Sequence, residues 1–297
     1  MRSWLVIPAM GVVSAAAAAG LGERAPIELV ACGVAGASIT AAVRALIGDS
    51  SASLAGAILA PLLLVALLFD PAIGGASARA WIAIAAMGWT VVELARPTTS
   101  PLVAVLPATV AAVLDPSFVM LIAIAGVRLV TAPWERPRWA IAIPIMGVLC
   151  AVLALIACVA QGGAFRALGD QWTGHAAETI GLARLIAHGA QAMGPVIAVA
   201  ALAGLAVLAR PRHAEVAVAA CIAGALFVGM RSGGAGPSLI ALASLTTGLA
   251  VGRFAGAIRL GAGQALAGAT AGALLLVPPA WTAIEHRAPV QVADASR

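Results

Sequence analysis

The chain has 297 residues, of which 62% are apolar and 10% charged, and its formal net charge is +5. Ordinary globular domains carry roughly 25% charged residues, so this composition, with a mean hydropathy of +1.05, excludes a water-soluble globule and indicates a lipid bilayer as the medium. All 17 basic residues are Arg, scattered between apolar runs without a basic stripe, which argues against nucleic acid as a partner and favours loops beside anionic lipid.

Apolar runs bounded by charges, prolines and glycine clusters follow one another along the whole chain. A membrane helix needs about 20 apolar residues, and because several runs are shorter, we expect about nine to eleven crossings. The two short runs beside Asp115-Pro116 leave a re-entrant hairpin open as an alternative. The eleven predicted segments are residues 3–21, 28–47, 54–69, 78–94, 99–114, 116–131, 139–160, 190–209, 215–230, 236–251 and 264–284.

The expected fold class follows from the backbone. In lipid, each exposed segment must satisfy its own backbone hydrogen bonds, so the segments predict an all-α polytopic transmembrane helix bundle. We expect one integral membrane domain over residues 1–297, with the first run retained as a helix rather than cleaved as a signal peptide.

The distribution of Arg predicts the topology. With Met1-Arg2 on the cytoplasmic side and alternating segments, ten Arg lie inside and seven outside, in agreement with the positive-inside rule. The codon bias implied by the absence of Lys, Asn and Tyr indicates a high-GC bacterium. The predicted location is therefore the bacterial inner (plasma) membrane, with a cytoplasmic N-terminus.

A long connection, residues 161–193, interrupts the series of short loops and is predicted to lie outside. Between residues 176 and 193, apolar side chains recur with polar ones between them, which favours an amphipathic helix along the membrane interface. The apolar positions are Ile180, Leu182, Leu185, Ile186 and Met193.

Two patterns predict how side chains meet the bilayer. Arg44, Glu93 and Arg128 lie near segment ends, so we expect them to snorkel to the headgroups. Trp81 and Trp281 also fall near segment ends, as in an aromatic belt.

A third pattern concerns helix contacts. Gly248, Gly252 and Gly256 recur every four residues, a spacing that lets helices approach closely.

Several kinds of chemistry are excluded. Without Lys there is no Walker A loop and no Schiff-base catalysis. The four His are widely separated, and the four Cys lie in apolar runs without a C-x-x-C pair, so no metal site is predicted. The sequence identifies no cofactor.

The predicted outer side carries the candidate functional residues. Their ordinary interpretation is solvated loop charge. The functional interpretation is an outward cavity with a general base for a lipid-linked substrate. In that interpretation Glu23 and Glu28 are the candidate catalytic residues, and the candidate substrate-binding residues are Arg24, Asp115, Asp170, His175 and Glu178.

Residues 95–173 carry a family resemblance. The stretch begins with Arg96-Pro97, continues with an apolar run that contains Pro107, and then reaches Asp115-Pro116. A Trp/Arg-rich turn follows at residues 134–139. After it come a long apolar run and a loop that contains Gly162-Gly163 and Trp172. This order resembles the middle of bacterial polytopic glycosyltransferases of the GT-C type, which use dolichyl- or polyprenyl-phosphate sugars.

The resemblance implies transfer of a sugar from a polyprenyl-phosphate donor on the outer face. That family carries its catalytic carboxylate in a long first outer loop, often in an Asp-Glu motif. Here the loop is only residues 22–28, with Glu23 and Glu28 but no Asp-Glu pair. A degenerate, inactive relative is therefore included in this hypothesis.

Two alternatives stay open. A small-solute or lipid transporter is favoured by the number of segments and by Pro and Gly residues within them. A non-catalytic membrane subunit or scaffold, with membrane protein partners, is favoured by scarce polar residues and small-residue helix faces.

Overall fold

A computed structural model describes residues 5–23, 25–48, 51–69, 77–96, 101–131, 180–209, 212–232, 234–258 and 261–285. Within these ranges every regular element is a helix: eleven α-helices and two short 3-10 turns, Pro116–Phe118 and Ala206–Ala209. The predicted all-α helix bundle is confirmed. The α-helices are α1 (Val6–Gly20), α2 (Pro26–Ile47), α3 (Ser51–Leu68), α4 (Ala78–Ala95), α5 (Pro101–Leu114), α6 (Met120–Thr131), α7 (Leu182–Met193), α8 (Pro195–Leu205), α9 (His213–Ser232), α10 (Pro237–Ala257) and α11 (Gly261–Glu285).

Four helices, α2, α3, α4 and α10, form the centre of the bundle. α2 packs against α1, α3 and α4, while α10 packs against α3 and α8. Ile39, Leu63, Met87 and Leu245, one from each central helix, are completely buried. α5, α6 and α9 pack around α4, and α11 packs against α3.

Glycines set the closest helix crossings. A Cβ added at Gly11 in α1 would lie 3.0 Å from the carbonyl oxygen of Gly33 in α2. One added at Gly88 in α4 would lie 2.6 Å from the Oγ of Ser38 in α2. Since lipid supplies little hydrophobic drive between helices, such backbone approaches provide the van der Waals contact that holds them together.

The crossing of α3 and α10 uses the predicted glycine series. A Cβ on Gly248 would lie 2.7 Å from the Cβ of Ala60 and 2.8 Å from the carbonyl oxygen of Gly56. A Cβ on Gly56 would in turn lie 3.0 Å from the backbone nitrogen of Gly252. Close approach is therefore confirmed for Gly248 and Gly252, within one chain, whereas Gly256 is exposed.

Four of the described helices are long and apolar enough to cross a membrane: α2, α4, the Pro237–Ala257 helix α10, and residues His213–Met230 of α9. Six further apolar helices within the described ranges are shorter. These helices fit a membrane protein with transmembrane helices.

Ten of the eleven predicted segments coincide with described helices, and segment 139–160 lies outside the described residues. The prediction of one run over 190–209 is wrong in its start. α7 ends at Met193, Gly194 adopts φ +86°, and Pro195 begins α8. A left-handed glycine followed by proline ends one helix and starts the next.

Arg44 and Arg128 do not snorkel, because only 8% of each is exposed. The Arg128 guanidinium in α6 instead donates to the carbonyl oxygens of Glu93, at 2.6 Å, and Arg96. It thereby satisfies carbonyls that the end of α4 leaves without helical partners. Glu93 also pairs with Arg96 at 3.2 Å.

The aromatic belt is wrong at Trp81 and consistent at Trp281. Trp81 is 1% exposed and lies 6.2 Å, centroid to centroid, from Phe69, whereas Trp281 is 65% exposed. Position near a helix end therefore does not decide which way an indole faces.

Candidate functional site

Glu23 and Glu28 come together at the turn between α1 and α2. Glu23 accepts a hydrogen bond from the Ala25 backbone N–H at 2.8 Å, and the preceding Gly22 adopts φ +94°, which lets the chain turn tightly. Glu28 lies in the first turn of α2, which begins at Pro26. The carboxyl groups of Glu23 and Glu28 lie close enough together to interact.

The start of α4 completes this arrangement. The Glu28 carboxyl also interacts with the backbone N–H of Ala78, the first residue of α4. A carboxyl group is favourable there because the first N–H groups of a helix have no partner within the helix. Glu28 therefore ties the first turn of α2 to the first turn of α4.

Arg79 extends the polar group towards the α5–α6 turn. Its Nε donates to the carbonyl oxygen of Leu114 at 2.9 Å, and its guanidinium interacts electrostatically with Asp115. Asp115 accepts the Ser117 backbone N–H at 2.9 Å and thereby caps the Pro116–Phe118 turn. Asp115 thus lies at the same end of the bundle as Glu23 and Glu28.

A buried pair of hydroxyls connects this turn to α10. The Oγ atoms of Ser117 and Ser238 lie 3.0 Å apart, and both side chains are buried. Ser238 is in the first turn of α10. A hydrogen bond between two shielded hydroxyls satisfies both groups without water.

The polar end, as we call the group Glu23, Glu28, Arg79, Asp115, Ser117 and Ser238, includes three of the predicted site residues. Arg24, Asp170, His175 and Glu178 lie outside the described residues. Of the predicted 161–193 connection, the described part contains α7, which agrees with the predicted amphipathic helix.

Arg79, Ser117 and Ser238 are not among the site residues predicted from the sequence. The local signals were present, since Asp-Pro-Ser at 115–117 is a capping sequence and Ser238 follows Gly-Pro at a helix start. Neither signal predicts which other turn of the protein packs beside the Asp115–Ser117 turn or the start of α10. That information comes only from the packing of α9 and α10 against the α5–α6 turn.

The polar end combines carboxyl groups that can accept a proton with a guanidinium that can bind an anion. Among the described residues, no three His, Cys, Asp or Glu side chains converge as metal ligands. Comparison with models of protein families, with curated proteins and with solved structures found no match to this chain.

Proposed function

We propose that this chain is a multi-pass bacterial inner-membrane protein that acts on a polyprenyl-phosphate-linked sugar at its polar end. In this proposal the membrane is crossed about nine to eleven times and the polar end faces outwards. The observation that carries it is the contact between the carboxyls of Glu23 and Glu28. A pair of neighbouring carboxyl groups at the membrane surface suits a general base for a substrate whose reacting group lies in the headgroup region.

The proposed reaction is sugar transfer of the GT-C type. The acceptor hydroxyl oxygen attacks the anomeric carbon, the bond from that carbon to the phosphate oxygen breaks, and polyprenyl phosphate leaves. A carboxylate of the Glu23–Glu28 pair takes the hydroxyl proton. Arg79, beside Asp115, is placed to orient the phosphate.

Glu-to-Gln substitutions test this proposal. Gln keeps size and hydrogen bonding but cannot act as a base, so E23Q or E28Q should lower transfer by about 100-fold or more. Transfer is measured in liposomes with a radiolabelled polyprenyl-phosphate sugar. Glu93→Gln, at the opposite end of α4, is the matched control. Unchanged transfer in both E23Q and E28Q contradicts the assigned roles.

A non-catalytic membrane subunit or scaffold is the second candidate. It is favoured by the glycine crossings, which bring α1, α3 and α4 into close contact with α2 and α10. A scaffold predicts that wild-type protein transfers no sugar yet co-purifies in fixed stoichiometry with a membrane partner. Purification as a lone protein active in transfer would contradict it.

A further inference from the structure

A second feature lies away from the catalytic pair, between α7, α8, α9 and α10. These helices line a partly open cavity of about 160 Å³. Its walls are apolar apart from Thr246, and that hydroxyl is already used, since it donates to the carbonyl oxygen of Leu242 at 2.9 Å. An apolar cavity of about 150 Å³ stays dry and accepts a hydrocarbon ligand of benzene size. The cavity is therefore built for a short stretch of hydrocarbon.

α7 covers one side of the cavity and presents two different faces. Leu185, Ile186 and Met193 line the cavity, whereas Arg184 and His188 are exposed. The backbone N–H of Ile180, just before α7, donates to the carbonyl oxygen of Met230 at 3.0 Å. This bond anchors the start of α7 at the end of α9, so Arg184 lies at that end of the cavity.

The outer side of α8 gives access for a membrane lipid. Val196, Val199 and Leu202 are 62%, 67% and 62% exposed, and Leu202 also lines the cavity. In a bundle whose neighbouring helices α9 and α10 are long and apolar enough to cross a membrane, this face meets acyl chains. Leu202 thus joins the exposed apolar face of α8 to the cavity.

We infer that the cavity holds part of one acyl chain of an anionic phospholipid whose phosphate lies beside Arg184. The charge is complementary: Arg184 is the formally charged residue of α7, and this helix contains no acid. A guanidinium is a bidentate phosphate ligand, and a helix parallel to the interface would hold it at headgroup level. The inference does not depend on the proposed sugar transfer.

Photolabelling in nanodiscs tests the site. The probe is phosphatidylglycerol with a diazirine in its acyl chain, and labelled peptides of the full chain are mapped by mass spectrometry. We expect label on the peptides that carry Leu185 and Leu242, and its displacement by unlabelled phosphatidylglycerol. In Arg184→Gln, preference for phosphatidylglycerol over phosphatidylcholine should fall by about fivefold.

A cavity-filling variant gives the second arm. Gly189 lines the cavity, and a Cβ there would meet only the Cε of Met193, at 3.6 Å, so Gly189→Leu fills the space without a backbone clash. Labelling should drop to background. Gly126→Leu in α6, where no atom lies within 4 Å of an added Cβ, is the matched control and should label like wild type.

Two outcomes would overturn the inference. One is undiminished labelling of these peptides in a folded Gly189→Leu protein, with unchanged lipid preference in Arg184→Gln. The other is displacement of the wild-type label by polyprenyl phosphate but not by phosphatidylglycerol, which would assign the cavity to the donor lipid. Loss of sugar transfer with intact labelling would remove only the proposed function, so the two failures are distinguishable.

Discussion

Replacing Gly56 with Ala probes the crossing of α3 and α10 most directly. The added Cβ would meet the carbonyl oxygen of Gly248, lie 2.9 Å from the carbon of that carbonyl and 3.0 Å from the backbone nitrogen of Gly252. All three are backbone atoms, which cannot move aside by changing rotamer, so the helices must separate. Overpacking of this kind costs about 1–3 kcal/mol, and the upper value applies here.

The same substitution has an opposing effect within the helix. Ala is favoured over Gly in a helix interior by about 1 kcal/mol. The expected net loss for Gly56→Ala is therefore about 2 kcal/mol, which is about 30-fold in the unfolding equilibrium. The measurement is equilibrium unfolding of the purified protein in mixed micelles of increasing SDS fraction, followed by circular dichroism.

Gly126→Ala supplies the control for the intrinsic effect. A Cβ on Gly126 meets nothing within 4 Å, so only the helix propensity should change, with a gain of up to about 1 kcal/mol. The two variants should shift the unfolding midpoint in opposite directions. If Gly56→Ala is as stable as wild type, or moves together with Gly126→Ala, close packing at this crossing does not hold the bundle together.

Three further substitutions test hydrogen bonds between different helices. Arg128→Met removes the donors to the carbonyl oxygens of Glu93 and Arg96; with hydrogen bonds to charged groups contributing about 1.5–3 kcal/mol each, we expect a loss of about 3 kcal/mol. Thermal unfolding in detergent measures it, and wild-type stability would show that the cap contributes nothing. Ser117→Ala and Ser238→Ala should each cost about 1–3 kcal/mol, because each leaves the other hydroxyl buried without its partner. The double variant should cost less than the sum in the same assay, and strict additivity would contradict the pairing.

The positions of the helices were largely predictable because they are a local property in lipid. Each segment completes its own backbone hydrogen bonds, so apolar length and flanking charges nearly suffice. The helix break at Gly194 was not predicted, because average hydropathy over a run does not reveal a break between two apolar helices. Residues on both sides are apolar, and only the Gly-Pro pair at 194–195 marks where α7 ends and α8 begins.

The surroundings of Arg128 and Trp81 were not predictable in the same way. The sequence gives the depth of each residue along its own helix, but not the neighbour on the facing side. Arg128 finds the end of α4, and Trp81 packs beside Phe69 in the core. The surroundings of both side chains are set by packing between helices, so rules based on distance from a segment end predicted the wrong environment.

In the polar end, too, the charged residues were predictable from the sequence, whereas their contacts with distant residues were not. This difference affects how the function of the polar end can be tested. Glu23, Glu28 and Asp115 were recognisable as charges next to apolar runs, but the contact of Arg79 with Leu114 joins residues 35 apart and that of Ser117 with Ser238 joins residues 121 apart. The Arg79 contact forms because the turn after α5 exposes a carbonyl that a side chain from another segment can satisfy, whereas Ser117 and Ser238 pair their hydroxyls with each other. The same side chains are therefore both structural caps and candidate catalytic groups. An Ala substitution at Glu28 would remove its contact with the start of α4 together with the charge, and lost transfer would have two explanations. Glu28→Gln removes the charge alone: its amide can still accept from Ala78 and donate to Glu23. Transfer lost in Glu28→Gln with unchanged thermal unfolding would therefore assign the chemistry to the carboxylate itself.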